Sequence, residues 1–254
     1  MNSANEAILA SYLKMLKLPG LAQGYRSVIR EAEAANLPYS EFLQACLEQE
    51  LGLREQKRIQ RKLKAAKFPL TKTLESFDFS AQPGIPANRI LSLADCSYIR
   101  QKENLIFAGN PGTGKTHLAI ALATIACQKG FSVRFYRAIT LANELMAAQK
   151  ELSLGRLEKR WLRYDLTVID ELGYIPFSAE AADLMFHFVS SRHEAGSTII
   201  TTNLDFSRWT EIFGEEGLTA AVIDRLVHKA HIIATNGDSF RFKESLRRRE
   251  TEAC

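Results

Sequence analysis

The chain lacks any apolar run long enough to cross a bilayer. Its longest nearly apolar stretch, ten residues at 118–127, is half of the roughly 20 that a spanning helix needs. Cysteine is sparse as well. Cys46, Cys96, Cys127 and Cys254 lie far apart, with no C-x-x-C pair and no nearby histidine. A zinc site is therefore not expected, and reduced thiols in a cytoplasmic protein are the plain reading. The opening MNSANEAILA carries no positive charge ahead of its apolar residues, so it does not read as a secretory signal. Internal repeats and low-complexity tracts are missing too. What is present is ordinary globular material: 46% hydrophobic and 24% charged residues exclude a wholly disordered chain. A length of 254 residues allows one large domain, or a main domain with a small appendage.

The net charge of +4 conceals an uneven distribution. Residues 54–72 hold eight bases (Arg54, Lys57, Arg58, Arg61, Lys62, Lys64, Lys67 and Lys72) against the single acid Glu55, a local charge of +7. Residues 1–53 carry −2 and residues 73–254 carry −1. A basic belt between two near-neutral parts points to a polyanion, most simply nucleic acid. The alternative is a solvated helix face, but exposed helices usually interleave their signs.

Residues 1–68 read as helices. Ile8, Leu9, Tyr12, Leu13 and Leu16 repeat at helical spacing before Pro19-Gly20, and a second helix carries Tyr25, Val28, Ile29 and Ala32. A third, starting near Ser40, places Phe42, Leu43, Cys46, Leu47 and Leu51 on one stripe. It continues through Ile59, Leu63 and Ala66, opposite most of the belt. Residues 69–86, PLTKTLESFDFSAQPGIP, read as a linker. From 87 to 254 short apolar runs (105–108, 133–136, 166–169, 198–202, 232–234) alternate with amphipathic helices (116–129, 139–149, 156–164, 179–194, 219–228). That alternation predicts a parallel sheet with helices on both faces, an α/β fold preceded by a small all-helical domain.

The decisive segment is LIFAGNPGTGKT at 105–116. Gly109, Gly114, Lys115 and Thr116 form G-x-x-x-x-G-K-T, directly after a strand and directly before a helix. Glycines let successive backbone N–H groups turn toward phosphate oxygens, and the helix adds its positive end. Lys115 would reach the β- and γ-phosphates and the Thr116 hydroxyl a magnesium ion. The nucleotide segment thus runs through Gly109, Asn110, Pro111, Gly112, Thr113, Gly114, Lys115, Thr116 and His117. LTVIDE at 166–171 ends an apolar strand on two carboxylates. Asp170 would hold magnesium with Thr116, and Glu171 would accept a proton from the water attacking the γ-phosphate. Asp170-Glu171-Leu172-Gly173 also fits the D-x-x-G of GTPases, but a guanine-reading N/T-K-x-D is missing, since Thr202-Asn203-Leu204-Asp205 has asparagine where lysine is needed. Asn203, after the strand STIITTN, can orient the lytic water. Arg225, on a helix just before the last strand, can reach a neighbouring subunit's γ-phosphate.

In this order, the four elements resemble AAA+ ATPases of the DnaA/DnaC initiator and loader branch. Within it the sequence is similar to the IstB family of insertion-sequence transposition helpers. RKLKAAKFPLTKTLESFDF, GNPGTGKTHLAIALA, LTVIDELGYIPF, SRHEAGSTIITTNLDFSRWTEIF, AAVIDRLVHKAHII and GDSFR carry the likeness across nearly the whole chain. The resemblance implies an ATPase that, with Mg2+, assembles as a homo-oligomer on duplex DNA, largely blind to its sequence, and passes target DNA to a partner transposase. It implies that Asn203 is a first sensor and Arg225 an arginine finger. The sequence departs from the general AAA+ design in one respect: the 29 residues after Arg225 are too few for the usual helical lid, so a reduced or absent C-terminal lid is expected, with Arg241 the one candidate for a second sensor and Lys243 and Arg247, Arg248 and Arg249 equally able to touch DNA. An extra helix of the initiator branch would match ELSLGRLEKRWLRY, where Arg156, Lys159, Arg160 and Arg163 either line a DNA path or are solvated above Leu157, Trp161 and Leu162. A DnaC-type helicase loader is the alternative function, and a free-standing P-loop kinase leaves Arg225 and the belt without a role.

Overall fold

A computed structural model describes residues 3–237 and 239–240. Arg241, Lys243, Arg247, Arg248, Arg249 and Cys254 lie outside the described residues. The chain divides into two compact units, Met1–Arg61 and Lys62–Cys254. This division falls earlier than the 68/69 boundary read from the sequence, because Leu63, Ala66 and Phe68 pack into the core of the second unit.

Three helices begin the chain: α1 (Ser3–Met15), α2 (Pro19–Ala35) and α3 (Tyr39–Ala66). Pro19 opens α2 rather than merely ending α1, since its missing N–H costs nothing in a first turn. The N-terminal amides of α2 are satisfied by a side chain from α3: Glu50 Oε2 accepts from Gly20 N at 2.6 Å and Leu21 N at 3.0 Å. Burial of Glu50 works to raise its pKa. The bonds from Leu21, Arg54 and Gly20 outweigh that and hold the carboxyl below its usual range. A Cβ on Gly24 would overlap the Gln49 side chain, so these two helices approach closely there. In consequence α3 turns Cys46 and Glu50 inward, while Leu43, Leu47 and Leu51 are exposed, which corrects the single buried stripe expected from periodicity.

The second unit follows with α4 (Ala87–Leu93), α5 (Ser97–Arg100), β1 (Asn104–Gly109), α6 (Lys115–Gln128), β2 (Val133–Arg137), α7 (Ala138–Lys150), α8 (Leu154–Trp161), β3 (Leu166–Leu172), α9 (Ala179–Arg192), β4 (Ser197–Thr202), α10 (Thr210–Phe213), α11 (Glu216–Val227) and β5 (Ala230–Thr235). The strands form one parallel sheet in the order β2-β3-β4-β1-β5. Alternate side chains of each strand feed two cores. Leu105, Phe107, Val168 and Ile199 face α6 and the segment before β1, whereas Ile106, Ile169 and Ile200 face α7, α8, α9 and α11. Residues 69–86 are not a bare spacer: Leu74 and Ile85 are buried in the first of these cores, and Phe77 and Phe79 pack against it.

Candidate nucleotide-binding site

The carboxyl end of β1 opens into the loop at 110–114, and α6 begins at Lys115 with Gly114 as its N-cap. Gly114 has φ +94°, and a Cβ there would strike the Phe77 ring, so both backbone and space demand glycine. Thr113 is buried, its Oγ1 2.9 Å from Asn110 O and 3.0 Å from Thr235 Oγ1 of β5. Lys115 Nζ donates to the loop carbonyls of Gly109 at 2.7 Å and Asn110 at 2.6 Å. The ammonium is therefore held inside the loop where phosphates would sit. Beside it opens a cavity of about 350 Å³, within the range of small-ligand sites. Gly112, Thr113, Gly114, Lys115, Thr116 and His117 line one side.

The other side comes from the segment that had read as a linker. Leu70, Lys72, Phe77, Asp78 and Gln82 line the cavity with Ile120 and Phe240. Phe77 stacks edge-on against Phe79 (centroids 4.8 Å apart) and against His117 (5.2 Å). His117 Nε2 lies 2.8 Å from Thr73 O and 3.2 Å from Ser76 Oγ. A carbonyl can only accept, so Nε2 carries a proton. Burial pushes the His117 pKa down, the Thr73 bond opposes this, and Lys72 adds to the lowering. Lys72, counted from sequence with the basic belt, thus lines the cavity beside the phosphate loop.

Asp170 is buried at the carboxyl end of β3. Its Oδ1 accepts from Thr116 Oγ1 at 2.8 Å and from Thr201 Oγ1 of β4 at 2.5 Å. The β3–β4 register shifts between Ile169 and Leu172. Strict alternation would send consecutive side chains to opposite faces, and the irregularity re-aims them. Glu171 takes φ +61°, its N–H donates to Thr201 Oγ1 at 3.0 Å, and its exposed carboxylate stands 3.8 Å from Arg137 Nε at the end of β2. Thr201 therefore braces both acids. Sequence reading missed it and singled out Asn203, which lies exposed just past β4.

Arg225 sits at the other edge of the sheet. The last turn of α11 leads into Ala230, which pairs with Asn104 at the start of β1, and Asn104 Nδ2 donates to Leu226 O at 3.0 Å. The six residues of β1 put roughly 17 Å between that edge and the phosphate loop. The Arg225 guanidinium covers the Phe186 ring at 4.7 Å and donates to Ala221 O at 2.9 Å.

A family model for IstB-like ATP binding proteins matches residues 11–248. The chain belongs to that family. It is 39% identical to an insertion sequence IS21 protein of Pseudomonas aeruginosa over 91% of this chain and 88% of that one. It is 37% identical to an insertion sequence IS5376 protein of Geobacillus stearothermophilus over 92% and 93%. Among solved structures, the fold is that of the DnaC helicase loader (22% identity, TM-score 0.53, 69% of this chain and 98% of that one). It is also that of AMPPCP-bound DnaA from Aquifex aeolicus (18%, TM-score 0.55, 69% and 55%). The chain is accordingly an ATP-binding protein of the IstB-like family. Among the described residues no helix is long and apolar enough to cross a membrane.

The residues expected to contact DNA fall into engaged and open groups. Arg54 is engaged, bonded to Glu50 at 2.7 Å and to Lys17 O at 2.9 Å. Arg58 pairs with Glu55 at 2.6 Å. Lys57, Arg61 and Lys64 are exposed on the same face of α3, spaced at three and four residues over two turns, and Lys62 is half-buried. On α8, Leu157 and Trp161 are buried and Arg160 is paired with Glu144, leaving Arg156 and Lys159 exposed.

Proposed function

We propose that this IstB-like protein is an ATP-hydrolysing helper of transposition that assembles with ATP on duplex DNA as a homo-oligomer and delivers that DNA to a partner transposase. The observation that carries the reading is the separation of Arg225 from its own phosphate loop by the full length of β1. An arginine so placed is out of reach of its own γ-phosphate, which supports a role on a neighbour's, and on this reading turnover depends on assembly. The insertion sequences named for the relatives support the transposition setting.

In the site itself, Lys115 and the loop amides of residues 112–116 bind the phosphates. Hydroxyl and carboxylate oxygens are the donors that Mg2+ takes, and Thr116 Oγ1 and Asp170 Oδ1, 2.8 Å apart, would hold the ion, which neutralises phosphate charge when bound. Water attacks the γ-phosphorus while the bond to the ADP oxygen breaks. Glu171 takes the proton of that water, Asn203 orients it, and a neighbour's Arg225 stabilises the charge spread over the γ-oxygens. Lys57, Arg61, Lys64, Arg156 and Lys159 supply phosphate contacts on DNA, which are salt-sensitive and blind to sequence.

Sedimentation with ATP on duplex and single-stranded DNA of equal length tests this. Large ATP-dependent assemblies on duplex are expected, persisting in Glu171→Gln, which binds ATP but turns it over poorly. Assembly confined to single strands would replace the transposition reading with that of a helicase loader.

A further inference from the structure

At the amino edge of the sheet, far from the nucleotide, two helices end side by side. The C-cap of α9 is His193 and the C-cap of α11 is His228, with their rings 5.5 Å apart. Glu194 follows directly. Each of the three offers a ligand atom within 4.8 Å of the other two, and among the described residues this is the one such group of histidine, cysteine and acidic side chains. We propose that His193, Glu194 and His228 form a binding site for a transition-metal dication of the zinc class.

Three physical features support it. First, His193 Nδ1 lies 3.1 Å from Arg225 O. A carbonyl only accepts, so Nδ1 holds the proton and the lone pair of the neutral ring resides on Nε2. That is the outer-shell arrangement by which a backbone oxygen fixes a metal-binding tautomer. Second, α9 and α11, of 14 and 12 residues, both direct their negative ends at the cluster, which favours a cation. Third, two imidazoles and one carboxylate form an N/O donor set suited to zinc, cobalt(II) or nickel(II) rather than to magnesium, with a coordination position left open. His228 and Glu194 are exposed, so their side chains can close the last ångström while half-buried His193 stays fixed.

Positive groups oppose the ion. Lys229 Nζ stands 3.5 Å from Glu194 Oε1, and Lys102, Arg192 and Arg225 line the adjoining hollow. The Lys229 pair is exposed and therefore weak, so a coordinating metal displaces it. Because His193 bonds the Arg225 carbonyl, an ion here would stiffen the turn that presents Arg225. This coupling rests on the trans role of Arg225, whereas the site itself does not.

The test uses untagged full-length protein without nucleotide, titrated with Co2+ and then with Zn2+ against a chromophoric chelator. Visible cobalt d–d absorption at one equivalent per chain is expected, together with a zinc-dependent rise in melting temperature. His228→Ala and Glu194→Gln should each weaken binding more than about tenfold and abolish the thermal rise, with the metal-free melt and ATP binding unchanged. Absence of d–d bands, affinity unchanged in both variants, or an intense thiolate-to-cobalt band would each overturn the site. Zinc bound as described but without effect on DNA-stimulated turnover would overturn only the coupling to Arg225, while loss of turnover in Arg225→Ala would still uphold the trans arginine.

Discussion

Thr201→Val tests the bracing of the two acids. The replacement has nearly the same shape and strand propensity, so its effect isolates one hydroxyl. That hydroxyl donates to buried Asp170 Oδ1 at 2.5 Å and accepts the Glu171 N–H at 3.0 Å. A hydrogen bond to a charged group contributes about 1.5–3 kcal/mol, and leaving a partly buried N–H without a partner costs about 1 kcal/mol more. A loss of about 3 kcal/mol is expected. For a domain of this size each kcal/mol moves the melting temperature by about 2–4 °C, so the shift should be about 6–12 °C. ATP binding, assigned in the proposed function to Lys115 and the loop, should change little, while turnover should fall more than tenfold because Glu171 loses its backbone anchor. Thr167→Val is the matched control: its hydroxyl is buried in β3 with no hydrogen-bond partner among the described residues, so a methyl there should be neutral or stabilising. Equal melting shifts for the two valines, or turnover of Thr201→Val within twofold of the parent, would refute the bracing.

Arg137→Ala removes the exposed partner of Glu171, 3.8 Å away. A pair of that kind is worth at most about 1 kcal/mol, so basal turnover should rise by up to about fivefold, and a fall would instead make Arg137 a positioning group for the base. Changing Lys57, Arg61 and Lys64 together to Gln should flatten the slope of log affinity for duplex against log salt by about 2.7. An unchanged slope returns this face to solvent, whereas Arg54→Gln should cost stability through Glu50. The His117 pKa is lower folded than unfolded, so its contribution is complete above about pH 6.5 and is lost as pH falls through the folded value. Melting curves from pH 7.5 to 5.5 should therefore drop less steeply for His117→Gln, and parallel curves would contradict a stabilising neutral His117 bonded to Thr73 O. Mixing inactive Lys115→Ala with inactive Arg225→Ala should restore turnover, since one supplies the arginine and the other the phosphate loop. A mixture that stays inactive would place Arg225 outside the reaction.

Much of this was legible in the sequence for physical reasons that differ by element. The five strands are short apolar runs, and all five stand where those runs are: β1, β3 and β4 are largely buried on both faces, whereas β5 at the sheet edge leaves Ile232 and Ala234 exposed. The phosphate loop was legible because its glycines, lysine and threonine are dictated locally by backbone geometry and charge. Helical periodicity was less secure in α3, where Leu43, Leu47 and Leu51 repeat as regularly as Cys46 and Glu50. Periodicity identifies faces but does not say which is covered. The helices α4, α5 and α10, of 7, 4 and 4 residues, are too short to show a period.

The residues that escaped are those whose meaning depends on register. Thr201 reads as an ordinary strand former within STIITTN. It becomes part of the site only because β4 lies beside β3 and the ladder shifts at Asp170 and Glu171. His193 and His228 are 35 positions apart and meet because α9 and α11 end at one edge. Arg225 could be placed on a helix before the last strand, but only the parallel pairing of β5 with β1 assigns it to the edge away from its own loop. That same pairing brings Thr235 against Thr113, so β5 links the nucleotide loop at one end to the helix bearing Arg225 at the other. A strand held by six paired positions to β1 is stiff along its length. Under the proposed function, nucleotide at the loop and a neighbour at Arg225 would both act on this one paired strand, a physical route by which hydrolysis would depend on assembly.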